Sequence, residues 1–236
     1  MLNARLGATL PRVWWALRTF APLVHAPTGG PWSFGLRPSY VAARAPAVPA
    51  DRDESIRHLI RRYLAGFGPA SAADIGRFTL LSQPTARSAL AALAGEVDRH
   101  EGPAGTELFD LAGASLPAED TPCPPRLLGM WDSILLAYAD RTRTTPLEYR
   151  PLILRRNGDV LSTVLVDGHV AGVWRPVAAG LEITAFRPLP EQTWEELAAE
   201  ANALLSFLAG REPVIYRRHA NWWAAMPSAD IRVLSA

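Results

Sequence analysis

The sequence contains no lysine, so all 24 of its basic residues are arginine. Chemistry that depends on a lysine amine, such as Schiff-base catalysis or a P-loop, is therefore excluded. The single cysteine, Cys123, excludes an intrachain disulfide and a zinc site built from paired cysteines. The five histidines are scattered without metal-ligand spacing, and the sequence contains no phosphate-loop or nucleophile-elbow pattern. We therefore expect neither a metal nor a cofactor.

Long apolar runs are also missing, because no stretch approaches the roughly 20 consecutive apolar residues of a membrane helix. The start of the chain does not resemble a secretory signal, since Arg5, Arg12 and Arg18 are spread through it and Pro11 interrupts it. We therefore expect no membrane segment and a cytoplasmic location. Hydrophobic residues make up 49% and charged residues 20% of the 236 positions, which is typical of a soluble globular protein.

Charge is unevenly distributed along the chain, although the net charge is only +1. Residues 1–50 contain five arginines and no acidic residue, which gives a net charge of +5. Residues 51–121 contain seven arginines and eleven acidic residues, for −4, whereas residues 122–236 contain twelve of each and balance. A phosphate backbone is therefore expected to meet the first segment, where Arg12 and Arg18 lie. The alternative is a solvated arginine surface.

Residues 1–50 have the pattern of a partial winged-helix unit. A helix that begins at Pro11 precedes two strand candidates, Leu23–Ala26 and Ser39–Ala42, with a glycine-rich loop between them. Helix, strand, loop and strand are the C-terminal half of a winged helix, and the proline-rich residues 45–49 then form a linker.

The glycine-rich loop of this unit contains Trp32 and Arg37. An aromatic ring and an arginine on such a loop could enter a minor groove or support an unstacked base, so both are candidate DNA-binding residues. The alternative is that Trp32 packs against its own domain.

Residues 51–121 predict a complete winged helix-turn-helix domain. Apolar residues at helical spacing indicate a first helix, Ser71 and Asp74 form a capping-box start for a second, and Ser82 caps a third. Three helices followed by a hairpin are the elements of this domain. The predicted ranges are helices over 51–66, 71–78 and 83–94 and strands over 97–99 and 107–110.

The third helix of this domain has a polar side that includes Gln83 and Arg87. As a recognition helix it would place these side chains in a major groove, with Arg87 against a guanine or a phosphate. The net charge of −4 supports the alternative of an ordinary solvated helix face, because affinity for DNA rests on phosphate neutralisation.

Residues 122–236 predict a small antiparallel β-rich domain with a long amphipathic helix at 190–209. The dipeptides Asn157-Gly158 and Asp167-Gly168 between apolar runs are strong hairpin signals. The predicted fold class is therefore α+β, with tandem winged helix-turn-helix units, the first partial, followed by the β-rich domain. The predicted strands are a four-stranded meander of Leu152–Leu154, Val160–Val166, His169–Val177 and Leu181–Phe186, with a possible edge strand at Val214–Tyr216.

Two segments, Arg57–Asp74 and Leu127–Arg141, together with Thr163–Gly168 and Val170–Trp174, resemble the AlkZ-like winged-helix DNA-binding proteins. That family includes DNA glycosylases that unhook interstrand crosslinks and remove alkylated bases. The resemblance runs from about Arg12 to Phe207. It implies tandem winged-helix units before a small β-rich domain, and double-stranded DNA as the partner.

The resemblance also implies a catalytic Gln-x-Gln pair in an N-terminal region, from which this sequence departs. Its only glutamines, Gln83 and Gln192, are far apart. We therefore expect the chain to begin inside the family's middle winged helix, to lack the catalytic region, and to bind duplex DNA non-specifically or by shape. The alternatives are an active DNA repair glycosylase that uses another residue and a winged-helix protein-interaction module.

Asp132, Asp140 and Arg141 lie in the segment that carries the resemblance. Against a DNA cleft, Asp132 could orient a water molecule or a base and Arg141 could bind a phosphate. Asp132 and Asp140 are therefore the candidate catalytic residues, and Arg141 is a candidate DNA-binding residue. The alternative is an internal Asp–Arg pair that fixes a domain interface.

Overall fold

The computed structural model describes residues 11–28, 38–44, 51–209, 222–223 and 226–235. The described residues before position 50 belong to one compact unit, and those after it belong to a second. Each unit is an arrangement of helices and antiparallel strands. None of the described helices is long and apolar enough to cross a membrane.

The described part of the N-terminal unit contains one helix and one two-stranded ribbon, as the sequence predicts. The helix α1 spans Pro11–Phe20, and strands β1 (Leu23–Ala26) and β2 (Ser39–Ala42) pair antiparallel. Trp14 of α1 packs edge-on against the ring of Tyr40 in β2, with 5.5 Å between the ring centroids. Trp14 is nevertheless 44% exposed, so this unit keeps apolar surface in contact with solvent.

The second unit begins with three helices and a hairpin, close to their predicted positions. Each helix starts at a side-chain cap: Asp51 accepts the N–H groups of residues 53 and 54, Ser71 forms a capping box with Asp74, and Ser82 accepts the N–H of Thr85. The elements are α2 (Arg52–Phe67), α3 (Ala72–Thr79), α4 (Gln83–Ala92), β3 (Val97–Glu101) and β4 (Glu107–Leu111).

A five-stranded antiparallel sheet follows, with its strands in sequence order. Strands β6 and β7 are joined at Asp167 and Gly168, both with positive φ, which confirms the hairpin predicted there. The long helix α6 (Glu191–Leu208) confirms the predicted amphipathic helix. The strands are β5 (Arg126–Leu128), β6 (Thr163–Val166), β7 (His169–Val177), β8 (Gly180–Ala185) and β9 (Asp230–Leu234).

The sheet is buried on both faces, which explains its continuous apolar runs. On one face Val164 packs with Trp194 and Leu197 of α6. On the other face Leu165, the next residue of β6, packs with Ile153 and its neighbours. Alternate residues of one strand therefore enter two different cores.

The predicted strand Leu152–Leu154 is wrong. Residues Arg150–Ile153 form a short helix, α5, and Leu154 makes only an isolated bridge to Val160. Pro151 in the first turn favours a helix, and a three-residue apolar run is too short for periodicity to separate helix from strand. Among the described residues the meander has five strands rather than four, because β5 pairs with β6 and β9 pairs with β8. The predicted strand Val214–Tyr216 lies outside the described residues.

Candidate nucleic-acid interface

Helix α4 presents a polar face to solvent because its apolar face is fixed in the core. Ala86 and Leu90 are buried. Gln83 and Arg87 are exposed, and Arg87 has no ion pair among the described residues. The structure therefore leaves both predicted recognition side chains free to reach a ligand.

The turn between α3 and α4 is tight. A Cβ atom on Gly76 of α3 would lie 2.9 Å from the carbonyl oxygen of Leu81, so only a glycine fits without a backbone shift. Leu80 closes α3 in the left-handed conformation, with φ of 61°, and its side chain is 89% exposed. The three-residue connection Leu80–Ser82 thus fixes α4 closely against α3.

Several arginines of the helical layer are already neutralised. Arg61 of α2 donates to Glu54 at 2.9 Å and to Glu96 at 2.8 Å, and Arg57 pairs with Glu54 at 2.8 Å. These hydrogen bonds hold the pKa of both Glu54 and Glu96 below the usual value. These ion pairs join two arginines to two glutamates, so they neutralise both arginines and leave the net charge of −4 of residues 51–121 unchanged.

Residues 137–143 dock against α2 and α3. The hydroxyl of Tyr63 donates to the carbonyl oxygen of Ala137 at 2.7 Å, and that of Tyr138 donates to the carbonyl oxygen of Phe67 at 3.1 Å. Burial raises the pKa of both tyrosines, so both stay neutral donors. This segment therefore has a fixed position beside the helical layer.

The two candidate catalytic carboxylates serve as caps of short 3₁₀ helices. Asp132 accepts the N–H of Ile134 at 3.0 Å. Asp140 accepts the hydroxyl of Thr142 at 2.7 Å and its N–H at 2.9 Å, and these bonds lower the pKa of Asp140. Neither carboxylate forms an ion pair with Arg141 among the described residues, so the predicted alternative of an internal Asp–Arg pair is wrong for these residues.

A cavity of about 380 Å³ lies between the start of α3, the β3–β4 loop and residues 139–143. Asp140 and Arg143 line one side of it, and Pro103 and Leu108 line another. The guanidinium of Arg143 lies over the ring of Tyr138, 4.1 Å from its centroid. The lining of the cavity combines apolar side chains with two carboxylates, those of Asp74 and Asp140, and one guanidinium. No group of three metal-ligating side chains occurs in the described parts of the chain.

Arg141 is half-buried and lies near two further arginines. Burial lowers the pKa of Arg141, and the charges of Arg77 and Arg150 lower it further. Sequence reasoning identified Arg141 but missed Arg77, which is distant in sequence, and Arg150, because no periodic pattern links it to Arg141.

The remaining predicted DNA-binding residues belong to the N-terminal unit. Arg18 is exposed in the last turn of α1. Arg12 lies in the first turn of the same helix, but its side chain is outside the described part of the structure. Trp32 and Arg37 lie outside the described residues. The roles predicted for these four residues stay predictions.

The chain is similar to known DNA repair glycosylases. It is 31% identical over 188 residues to the interstrand DNA cross-link repair glycosylase of Streptomyces sahachiroi, which is 75% of this chain and 50% of the relative. The solved structure of the Streptomyces sahachiroi DNA glycosylase AlkZ matches with a TM-score of 0.62 and 24% identity, over 85% of this chain and 60% of that chain. The chain thus spans about half the length of this curated relative. The family model described as DNA glycosylase AlkZ-like matches residues 4–207, and the chain therefore belongs to the AlkZ-like DNA glycosylase family.

Proposed function

We propose that this chain is a winged-helix protein that binds double-stranded DNA. The observation that carries the proposal is the exposed polar face of α4, with Gln83 and Arg87 directed outward behind a tight α3–α4 turn. In a helix-turn-helix the second helix lies in the major groove with its N-terminal residues at the base edges. Gln83 is the first residue of α4 and Arg87 lies one turn later.

Residues 51–121 would form the complete winged unit of this protein. Helices α3 and α4 supply the helix-turn-helix, and the hairpin β3–β4 with its loop at residues 102–106 supplies the wing. The N-terminal unit, a helix followed by a two-stranded ribbon, has the elements of the second half of another winged helix. Its basic charge favours phosphate contacts by Arg12, Arg18 and Arg37, with Trp32 in the same loop as Arg37.

We further propose that this chain by itself does not excise bases. Gln83 lies in α4, whereas Gln192 lies in α6 and donates to Glu196, so the two glutamines occupy different elements. Asp132 and Asp140 accept main-chain hydrogen bonds as caps, which accounts for both carboxylates without a reaction.

Fluorescence anisotropy of a labelled duplex across a salt series tests the binding proposal. The expected result is salt-sensitive binding, because log K falls by about 0.9 per neutralised phosphate for each unit of log salt concentration. Arg87→Gln should weaken binding and flatten this slope. Arg232→Gln is the control, because Arg232 is an arginine of β9 that is already paired with Glu191 at 2.8 Å.

A folded, monodisperse wild-type sample that fails to bind duplex at low salt overturns the binding proposal. Binding to a protein partner that does not weaken with salt would then support the interaction-module alternative. For catalysis, incubation with a duplex that contains an alkylated base should release no base. Release by the wild type that Asp132→Asn or Asp140→Asn abolishes would overturn the non-catalytic proposal and assign the reaction to that carboxylate.

A further inference from the structure

Arg77 and Arg141 lie on two parts of the chain that are hydrogen-bonded to each other, helix α3 and the 139–143 segment. The buried carboxylate of Asp74 accepts the N–H of Ala139 at 2.7 Å, which holds this segment along α3. Arg77 lies three residues after Asp74, on the next turn of the same helix, and its side chain is exposed. The segment that contains Arg141 is therefore held beside the helix that carries Arg77.

Arg150 is brought to the same place by the local fold of the chain. The N–H of Thr145 donates to the carbonyl oxygen of Arg141 at 2.7 Å, and the N–H of Arg150 donates to that of Pro146 at 3.1 Å. Two successive turns therefore connect Arg141 to Arg150 at the start of α5. The electrostatic interactions agree, because the charge of Arg150 acts on both Asp140 and Arg141.

None of these three guanidinium groups forms an ion pair in the described residues. No carboxylate oxygen there lies within 4.0 Å of a guanidinium nitrogen of Arg77, Arg141 or Arg150. The nearby carboxylate, Asp140, attracts Arg150 at longer range and is hydrogen-bonded by the hydroxyl and N–H of Thr142. Like charges held together without an ion-pair partner repel one another, and the partial burial of Arg141 adds to this cost. An anionic ligand would relieve both penalties.

We propose that Arg77, Arg141 and Arg150 bind the phosphodiester backbone of duplex DNA. This inference rests on the proposed DNA-binding function and names a surface of that interface on α3 and the β-rich part of the chain. In a helix-turn-helix the first helix, here α3, crosses the DNA backbone while the second occupies the groove. Guanidinium groups suit phosphate oxygens because they donate two parallel hydrogen bonds.

The salt slope of duplex binding by the full chain tests this site. Arg77→Gln, Arg141→Gln and Arg150→Gln should each lower the slope by about 1, since each removes one phosphate contact. Arg141→Lys keeps the charge and should keep most of the slope. Arg126→Gln is the matched control, because Arg126 is an exposed arginine that lies 3.6 Å from Glu200, and its slope should equal that of the wild type.

A second measurement separates this site from a structural role. Removing one of three mutually repelling charges should leave the melting temperature of Arg141→Gln equal to or above that of the wild type. A lower melting temperature with an unchanged salt slope would assign Arg141 a structural role and overturn the proposal.

Salt slopes equal to that of the wild type in all three Gln variants would overturn the proposed site, while duplex binding itself would stand. Absence of wild-type binding would overturn the proposed function as well. Inorganic phosphate could raise the melting temperature of the wild type while the three Gln variants still bind duplex as the wild type does. That result would assign the site to a free anion and would also overturn the proposal.

Discussion

Asp74 joins two parts of the chain that are 65 positions apart, because its Oδ1 accepts the backbone N–H of Ala139 at 2.7 Å. Its Oδ2 accepts the N–H and the hydroxyl of Ser71 at 2.8 and 2.7 Å. One buried carboxylate therefore both starts α3 and holds the segment that presents Asp140 and Arg141. The geometry of the candidate interface depends on this one side chain.

Replacing Asp74 by alanine should be strongly destabilising. The change removes a helix cap and leaves the N–H of Ala139 without its acceptor, so we expect a loss of about 2–4 kcal/mol in the free energy of unfolding. Urea denaturation followed by circular dichroism measures the loss. Asp120→Ala, at an exposed position between β4 and β5, is the control and should change the stability little. A loss of under about 1 kcal/mol for Asp74→Ala would mean that water replaces these bonds.

Tyr63→Phe should destabilise the same contact without changing the shape of the side chain. Tyr63 is 3% exposed, so removing its hydroxyl leaves the carbonyl oxygen of Ala137 unpaired in a buried place. We expect a loss of about 1–2 kcal/mol. Tyr138→Phe is the matched comparison, and it should cost less because its bond to Phe67 is longer and only part-buried. Equal effects of the two substitutions would contradict this ranking.

The helical layer could be predicted from the sequence because its signals are local. Ser71 with Asp74 and the cap Ser82 mark helix starts within a few residues of the positions they control. The same holds for the Asp167–Gly168 turn, whose two residues alone specify the hairpin.

The edges of the sheet and the arginine cluster could not be predicted in this way. Strand β9 pairs with β8 across a long separation in sequence, without a turn signal between them, and β5 is only three residues long. Arg77 approaches Arg141 because Asp74 docks a segment 65 positions away, and Arg150 follows through irregular turns that no sequence pattern marks. Contacts that depend on tertiary packing leave no periodic pattern in the sequence.

Two glycine-to-alanine substitutions should change stability in opposite directions. At Gly76 the new Cβ would meet the carbonyl oxygen of Leu81 at 2.9 Å, so α4 must shift, and we expect a loss of about 1–3 kcal/mol. At Gly66, an exposed position in α2 with nothing within 4 Å, alanine should gain about 0.5–1 kcal/mol because it restricts the unfolded chain.

Thermal and urea unfolding of both glycine variants provide the measurement. Gly76→Ala should also weaken duplex binding, since the position of α4 depends on the close turn, whereas Gly66→Ala should bind as the wild type does. A stable Gly76→Ala protein with unchanged binding would mean that the turn tolerates a wider separation of α3 and α4.

Part of the free energy of unfolding that is lost in acid should come from the ion pairs of Arg61 with Glu54 and Glu96. Hydrogen bonds from Arg61 hold the pKa of Glu96, and with Arg57 that of Glu54, below the usual value. A lowered folded-state pKa contributes stability that is present above the unfolded pKa, about 4.3 for glutamate, and is lost as the pH falls through the folded value. Arg61→Gln should therefore be less stable than the wild type at neutral pH, and the two should converge in acid.

Urea midpoints of wild type and Arg61→Gln between about pH 2.5 and pH 7 test this convergence. The effect should be small and should shrink at high salt, because these ion pairs are largely exposed.

Arg62→Gln is the control on the same helix, since Arg62 is exposed and has no ion pair among the described residues. Its pH profile should run parallel to that of the wild type. Parallel profiles for Arg61→Gln as well would show that Glu54 and Glu96 gain no stability from Arg61.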